Sequence, residues 1–180
     1  MNKKFLIIAF VLSNLALLAQ TEAVSFTDTF YGEGAGNNST TGFEDSGFGY
    51  NALLRIGNGS YDTAIGSQAL TYNTTGSGNT ASGAQALYNN DIGNFNTASG
   101  TNALYGNRAG ESNTASGYQA LFSNTTGNYN TATGLEALFH NTTANSNTAS
   151  GYQALYSNIT GHHNMASGYY GLRGNTIGNY

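Results

Sequence analysis

Small and apolar residues recur along this chain with a period of 17. Aligned on the glycine of Asn-Thr-Ala-x-Gly, the units place it at Gly49, Gly66, Gly83, Gly100, Gly117, Gly134, Gly151 and Gly168, with no insertion. An alanine stands two residues earlier, from Ala64 to Ala166. Four residues after the glycine come Leu53, Leu70, Leu87, Leu104, Leu121, Leu138, Leu155 and Leu172. Seven after it runs an asparagine column, Asn73, Asn90, Asn107, Asn124, Asn141, Asn158 and Asn175. A second glycine column runs from Gly59 to Gly127, is interrupted by Ala144 and resumes at Gly161. Columns held in phase over about eight units make this a structural repeat.

Each unit parses into two short segments and two bends. Asn-Thr-Ala-Ser-Gly alternates as a strand does, with Thr and Ser on one face and Ala on the other. Gln-Ala-Leu-Tyr reads as a second extended segment, since four or five residues between glycines make at most one helical turn. Glycine and asparagine at the corners suit positive φ. One leucine and a few small residues cannot bury an apolar face within a single unit, so the units must stack. Stacking at the ~4.8 Å strand spacing aligns identical side chains in ladders and gives a rod on the order of 40 Å long. The expectation is an all-β parallel β-solenoid of 17-residue repeats over residues 43–180. Its structural ladders are the leucines Leu70 to Leu155 and the asparagines Asn73 to Asn158. Those asparagines stack inward amide on amide, or else serve as ordinary turn residues.

The run Asn-Thr-Ala-Ser-Gly-x-x-Ala-Leu resembles the head repeats of trimeric autotransporter adhesins, the YadA-like left-handed parallel β-roll, over nearly all of residues 43–180. The resemblance implies a left-handed roll, a homotrimer, and a head that binds host matrix or other cells. Family repeats place bulky aliphatics on either side of the central alanine, as Ile65 does once here. This chain instead has Thr before the alanine and mostly Ser after it.

The N-terminus departs from the repeat. Lys3 and Lys4 precede an apolar run from Phe5 to Leu18, and Ala19 offers a cleavage position. Residues 1–19 therefore read as a signal peptide, too short in its apolar part for a membrane span. Residues 20–42 read as an N-terminal segment with a degenerate capping repeat, in which Gly32 keeps phase. The mature chain is expected to be secreted or held at the cell surface, with no membrane span. Cleavage would remove both lysines, taking the formal net charge from −4 to −6. Three arginines against nine acids give no basic stripe for nucleic acid. The chain has 25 glycines, no proline and no cysteine, and only 8% of its residues are charged. Low charge without proline does not describe a disordered coil.

Candidate chemistry lies on the outward ladders. Catalysis is not expected, because Asp62, Asp91, Glu111 and Glu136 fall in different columns and read as solvated loop residues. No cofactor and no metal site is expected; His140, His162 and His163 read as surface residues. Gly32-Glu33-Gly34-Ala35-Gly36 lacks both the lysine and the helix of a phosphate loop. The sequons at Asn73 and Asn124 recur because the repeat contains Asn-Thr-Thr. They would be exposed and usable in an exporter that glycosylates Asn-x-Thr, but their periodicity argues that structure, not glycosylation, placed them. Two features remain as binding surfaces. Aromatic ladders run through Tyr88, Tyr105, Phe122, Phe139 and Tyr156, and through Tyr118, Tyr152 and Tyr169. Thr80, Thr97, Thr114, Thr131 and Thr148, each followed two residues on by Ser or Thr, form two hydroxyl rows. The first reading is an adhesive rod, homo-oligomeric as a trimer, whose partner is extracellular matrix, a glycan or a cell-surface ligand. The alternative is ice binding through the Thr-x-Ser/Thr face.

Overall fold

A computed structural model describes residues 28–38 and 41–179. The signal-peptide reading falls on residues 1–19, outside the described residues. The chain winds into a parallel β-solenoid of 17-residue rungs. The strands are β1 (Thr29–Tyr31), β2 (Ser46–Phe48), β3 (Arg55–Ile56), β4 (Thr63–Ile65), β5 (Tyr72–Asn73) and β6 (Thr80–Ser82). They continue with β7 (Thr97–Ser99), β8 (Thr114–Ser116), β9 (Thr131–Thr133), β10 (Thr148–Ser150) and β11 (Met165–Ser167). Nine of them form one parallel sheet in the order β1-β2-β4-β6-β7-β8-β9-β10-β11, and β3 pairs with β5 in a second. The register is strict: Thr97 faces Thr114, Ala98 faces Ala115 and Ser99 faces Ser116. No helix of the described residues is long and apolar enough to cross a membrane.

In-register stacking explains the glycine column. Gly83 has φ 137°, and a β-carbon placed on it would stand 2.6 Å from the carbonyl carbon of Gly100. One rung passes directly over the α-carbon of the last, and a side chain there would push the rungs apart.

The Gln-Ala-Leu-Tyr segment departs from the extended reading. Beyond β3 and β5 it is a run of turns with two left-handed residues, such as Gln85 (φ 56°) and Leu87 (φ 51°). The N–H of Gln85 donates back to Ser67 at 2.9 Å, and that of Leu87 donates forward to Ala103 at 3.0 Å. Rungs thus remain hydrogen-bonded to both neighbours without strand geometry. The double bend turns the leucine inward, and Leu53, Leu70, Leu87, Leu104, Leu121, Leu138 and Leu155 are fully buried with the alanines. A left-handed leucine costs about 1–2 kcal/mol. Its complete burial contributes about 1.5–3 kcal/mol, enough to offset that cost.

The asparagine column is also not a set of positive-φ corners. Asn73, Asn90, Asn107, Asn124, Asn141 and Asn158 are buried and stack inward. Asn90 Nδ2 donates to Asn73 Oδ1 at 2.8 Å and to the Gly93 carbonyl at 2.9 Å. The pattern repeats at Asn107, Asn124, Asn141 and Asn158. Burial corrects the glycosylation reading, because the Asn73 and Asn124 amides lie inside the rod and are bonded there.

Candidate functional site

The strand sheet presents its hydroxyl rows to solvent. Along each central strand the outer residues are exposed and the alanine is buried, as in Thr97-Ala98-Ser99 and Thr131-Ala132-Thr133. Thr80, Thr97, Thr114 and Thr131 are exposed, and Thr148 is half-buried. In-register pairing lines them up along the rod axis, with Ser82, Ser99, Ser116, Thr133 and Ser150 in a second row. This surface has regular hydrogen-bonding capacity along the rod axis.

The two aromatic columns differ from one another. Tyr88, Tyr105, Phe122, Phe139 and Tyr156 form a face-to-face stack with centroids 5.0–5.3 Å apart. All five are half-buried, and arginines close both ends. The Arg173 guanidinium lies 5.1 Å from the Tyr156 ring, and that of Arg55 lies 5.1 Å from Tyr72, which meets Tyr88 edge-on. The second column is interrupted by Ser67, Ala84 and Thr101 and again by Leu135, so Tyr118 has no ring in the rung on either side and is exposed, while Tyr152 and Tyr169 stack at 5.1 Å.

A second inward asparagine column escaped the sequence reading. Asn79, Asn96, Asn113, Asn130, Asn147 and Asn164 lie just before the first residue of each strand, Thr in all but the last, and are buried. Asn79 Oδ1 accepts the Asn96 backbone N–H at 3.0 Å and its Nδ2 at 3.2 Å, and that Nδ2 also reaches the Gly110 carbonyl at 2.8 Å. The signal was present, because the alternation that puts Ala inside puts this Asn inside as well.

The same column corrects the reading of the acids. Asp28, Asp45 and Asp62 occupy its first three positions. Asp45 and Asp62 are buried rather than solvated. Asp28 Oδ1 accepts the Asp45 N–H at 3.0 Å, Asp45 Oδ1 that of Asp62 at 2.9 Å, and Asp62 Oδ1 that of Asn79 at 2.7 Å. Asp62 Oδ2 also receives Asn73 Nδ2 at 2.7 Å, whereas Asp28 Oδ2 and Asp45 Oδ2 have no partner. Burial pushes both Asp45 and Asp62 up to about 7, and the like charge one rung earlier adds to the effect.

Among the described residues, no three His, Cys, Asp or Glu side chains are placed to hold a metal. His162 takes a structural part, its Nδ1 accepting the Asn145 N–H at 2.9 Å, while His140 packs edge-on against Phe139 and Tyr156. No family model matches the chain, and no curated protein or solved structure matches it. The candidate surface is therefore defined by its own geometry, an uncharged strand face with hydroxyl rows and exposed rings along its borders.

Proposed function

We propose that this chain is an exported, non-enzymatic scaffold that attaches to a surface or matrix through many weak contacts along the rod. The observation that carries the reading is the strict register of its outward side chains. A partner with its own repeat then meets the same chemistry at every rung, and affinity accumulates by multivalency. A head of the trimeric adhesin type, assembled from three copies, fits this role. Binding of the purified protein to immobilised matrix proteins and to whole cells tests attachment, and its mass in solution tests the trimer. Retention on neither surface ends the adhesive reading, and a monomer ends the trimer.

A second reading rests on the Thr-x-Ser/Thr rows. Their exposure and regular spacing suit ordered water, as an ice-binding face requires. Thermal hysteresis and ice shaping test it, and Thr114→Tyr and Thr131→Tyr should abolish both. A protein without effect on ice sinks this reading and leaves the first in place.

A further inference from the structure

One column along the border of the strand face alternates large and small. Two residues before the Thr position stand Tyr61, Gly78, Phe95, Ser112, Tyr129, Ser146 and His163. A ring recurs at every second rung, hence about 10 Å apart along the rod. Tyr61, Phe95 and Tyr129 are 63%, 69% and 64% exposed. The residue between each ring and its Thr is buried, whereas Phe95, Thr97 and Ser99 are all exposed. A β-carbon at Gly78 would stand 2.8 Å from Phe95 Cδ1, so the small residue makes room for the ring of the next rung.

The backbone of this column supplies a second observation. Tyr61 (φ 64°), Phe95 (φ 56°) and Tyr129 (φ 58°) are left-handed, as are Gly78 (φ 69°), Ser112 (φ 54°), Ser146 (φ 58°) and His163 (φ 60°) in the same column, so the bend belongs to every rung. Glycine meets that requirement without strain, and a bulky aromatic residue does not. At the leucine column the same strain is offset by burial. Here the rings remain in water, and folding gains little from them. The rung sets the bend, and the ring positions place an exposed aromatic residue where glycine or serine serves in the rungs between them.

We propose that this rail docks a linear, uncharged β-1,4-linked polysaccharide lying along the rod axis. In such a chain each sugar is turned over relative to the last, so the same ring face recurs every second sugar, on the order of 10 Å, and can stack on each aromatic ring in turn. The neighbouring Thr and Ser rows supply hydrogen bonds to the sugar hydroxyls. From Tyr61 to Thr133 the rail and both rows carry no charged side chain, which suits a neutral polymer. The inference rests on the adhesive reading and names its partner.

Co-sedimentation of the purified protein with microcrystalline cellulose and with chitin tests it, against a linear β-1,3-glucan as control. Retention on either β-1,4 polymer and not on the control is expected, and the two arms tell glucose from N-acetylglucosamine. Phe95→Ala and Tyr129→Ala should each weaken retention about tenfold through loss of one stacked ring. Tyr118→Ala, at the opposite border, should leave it unchanged. Phe95→Ser combined with Ser112→Phe keeps the number of rings and breaks their spacing, and should weaken binding as much as Phe95→Ala does. Thermal melting of each variant confirms that the fold is kept. Equal retention on all three polymers, or undiminished binding by the shifted double variant, overturns the proposal. Failure on both β-1,4 polymers with retention on matrix protein removes the glycan rail alone; failure on every surface removes the adhesive reading too.

Discussion

The first rungs and the middle rungs of this solenoid fill one inward column with different chemistry. From Asn79 to Asn164 each side-chain oxygen short of the last accepts from the following rung, and Nδ2 of Asn79 to Asn130 donates to a carbonyl. At Asp28, Asp45 and Asp62 the accepting half survives, since Oδ1 takes the next backbone N–H in all three. The donating half does not. A β-carbon at Gly42 would lie 2.8 Å from Asp45 Oδ2, and one at Gly161 would lie 2.9 Å from Asn164 Nδ2, so the oxygen takes the place of the nitrogen. An ionised carboxylate has no hydrogen to offer there. Only a protonated acid has a hydrogen to offer in the place of that Nδ2.

Moving the N-terminal chemistry to the middle should have the largest effect. Asn113 Nδ2 donates to Asn96 Oδ1 at 3.1 Å and to the Gly127 carbonyl at 2.7 Å. Asn113→Asp replaces that donor with an acceptor between two acceptors. The expected loss is about 3 kcal/mol or more at pH 8, the scale of an uncompensated buried charge. Urea denaturation followed by circular dichroism checks it. The same variant should recover much of the loss at pH 5, where the introduced acid holds its proton.

How much of this was legible in the sequence depends on which force sets each column. The strand Thr-Ala-Ser, the buried alanine and the stacked rungs follow from alternation and a fixed period, and the structure keeps all three. The bend at Gln85-Ala86-Leu87 was not legible, because leucine rarely takes φ 51° and only stacking against like neighbours makes it favourable. Asp45 and Asp62 were misread for a related reason. Acids are ordinarily exposed, and only their phase with Asn79, 34 and 17 residues on, shows that they belong to an inward column. The hydroxyl rows were legible, but the every-second-rung rings were not singled out, because Tyr61, Phe95 and Tyr129 do not repeat from one unit to the next.

Removing the acid from the first rungs should act in the opposite direction and more weakly. Folded Asp45 and Asp62 hold protons up to about 7, against about 4 in an unfolded chain. Between those values the folded state binds more protons, so their stabilisation is full below about pH 4, declines as pH rises and is lost above about pH 7. A fall of several kcal/mol in unfolding free energy across that window is expected of the wild-type protein, up to about 4 kcal/mol for each acid before solvent screening reduces it. Asp45→Asn supplies the missing donor, and should gain about 1–2 kcal/mol at pH 8 and almost nothing at pH 4. A wild-type stability that is flat from pH 4 to pH 8 would remove the basis of the comparison.

The smallest effect separates the acid from its surroundings. Asn73 reaches Asp62 Oδ2 at 2.7 Å, but one rung earlier Ile56 holds the equivalent position, and Asp45 Oδ2 goes without a partner. Ile56→Asn would restore the donor beside Asp45. It removes a buried apolar side chain and adds a hydrogen bond to a charged group, terms of about 1–3 kcal/mol each and opposite in sign. The bond is strongest to the ionised carboxylate, so the balance should turn with pH. The variant is expected to be less stable than wild type at pH 4 and to draw level with it, or pass it by under about 1 kcal/mol, at pH 8. Urea midpoints of the two proteins that cross between those values would tie the acid's high pKa to the missing amide. Curves that stay parallel would leave burial and the neighbouring Asp28 charge as its causes.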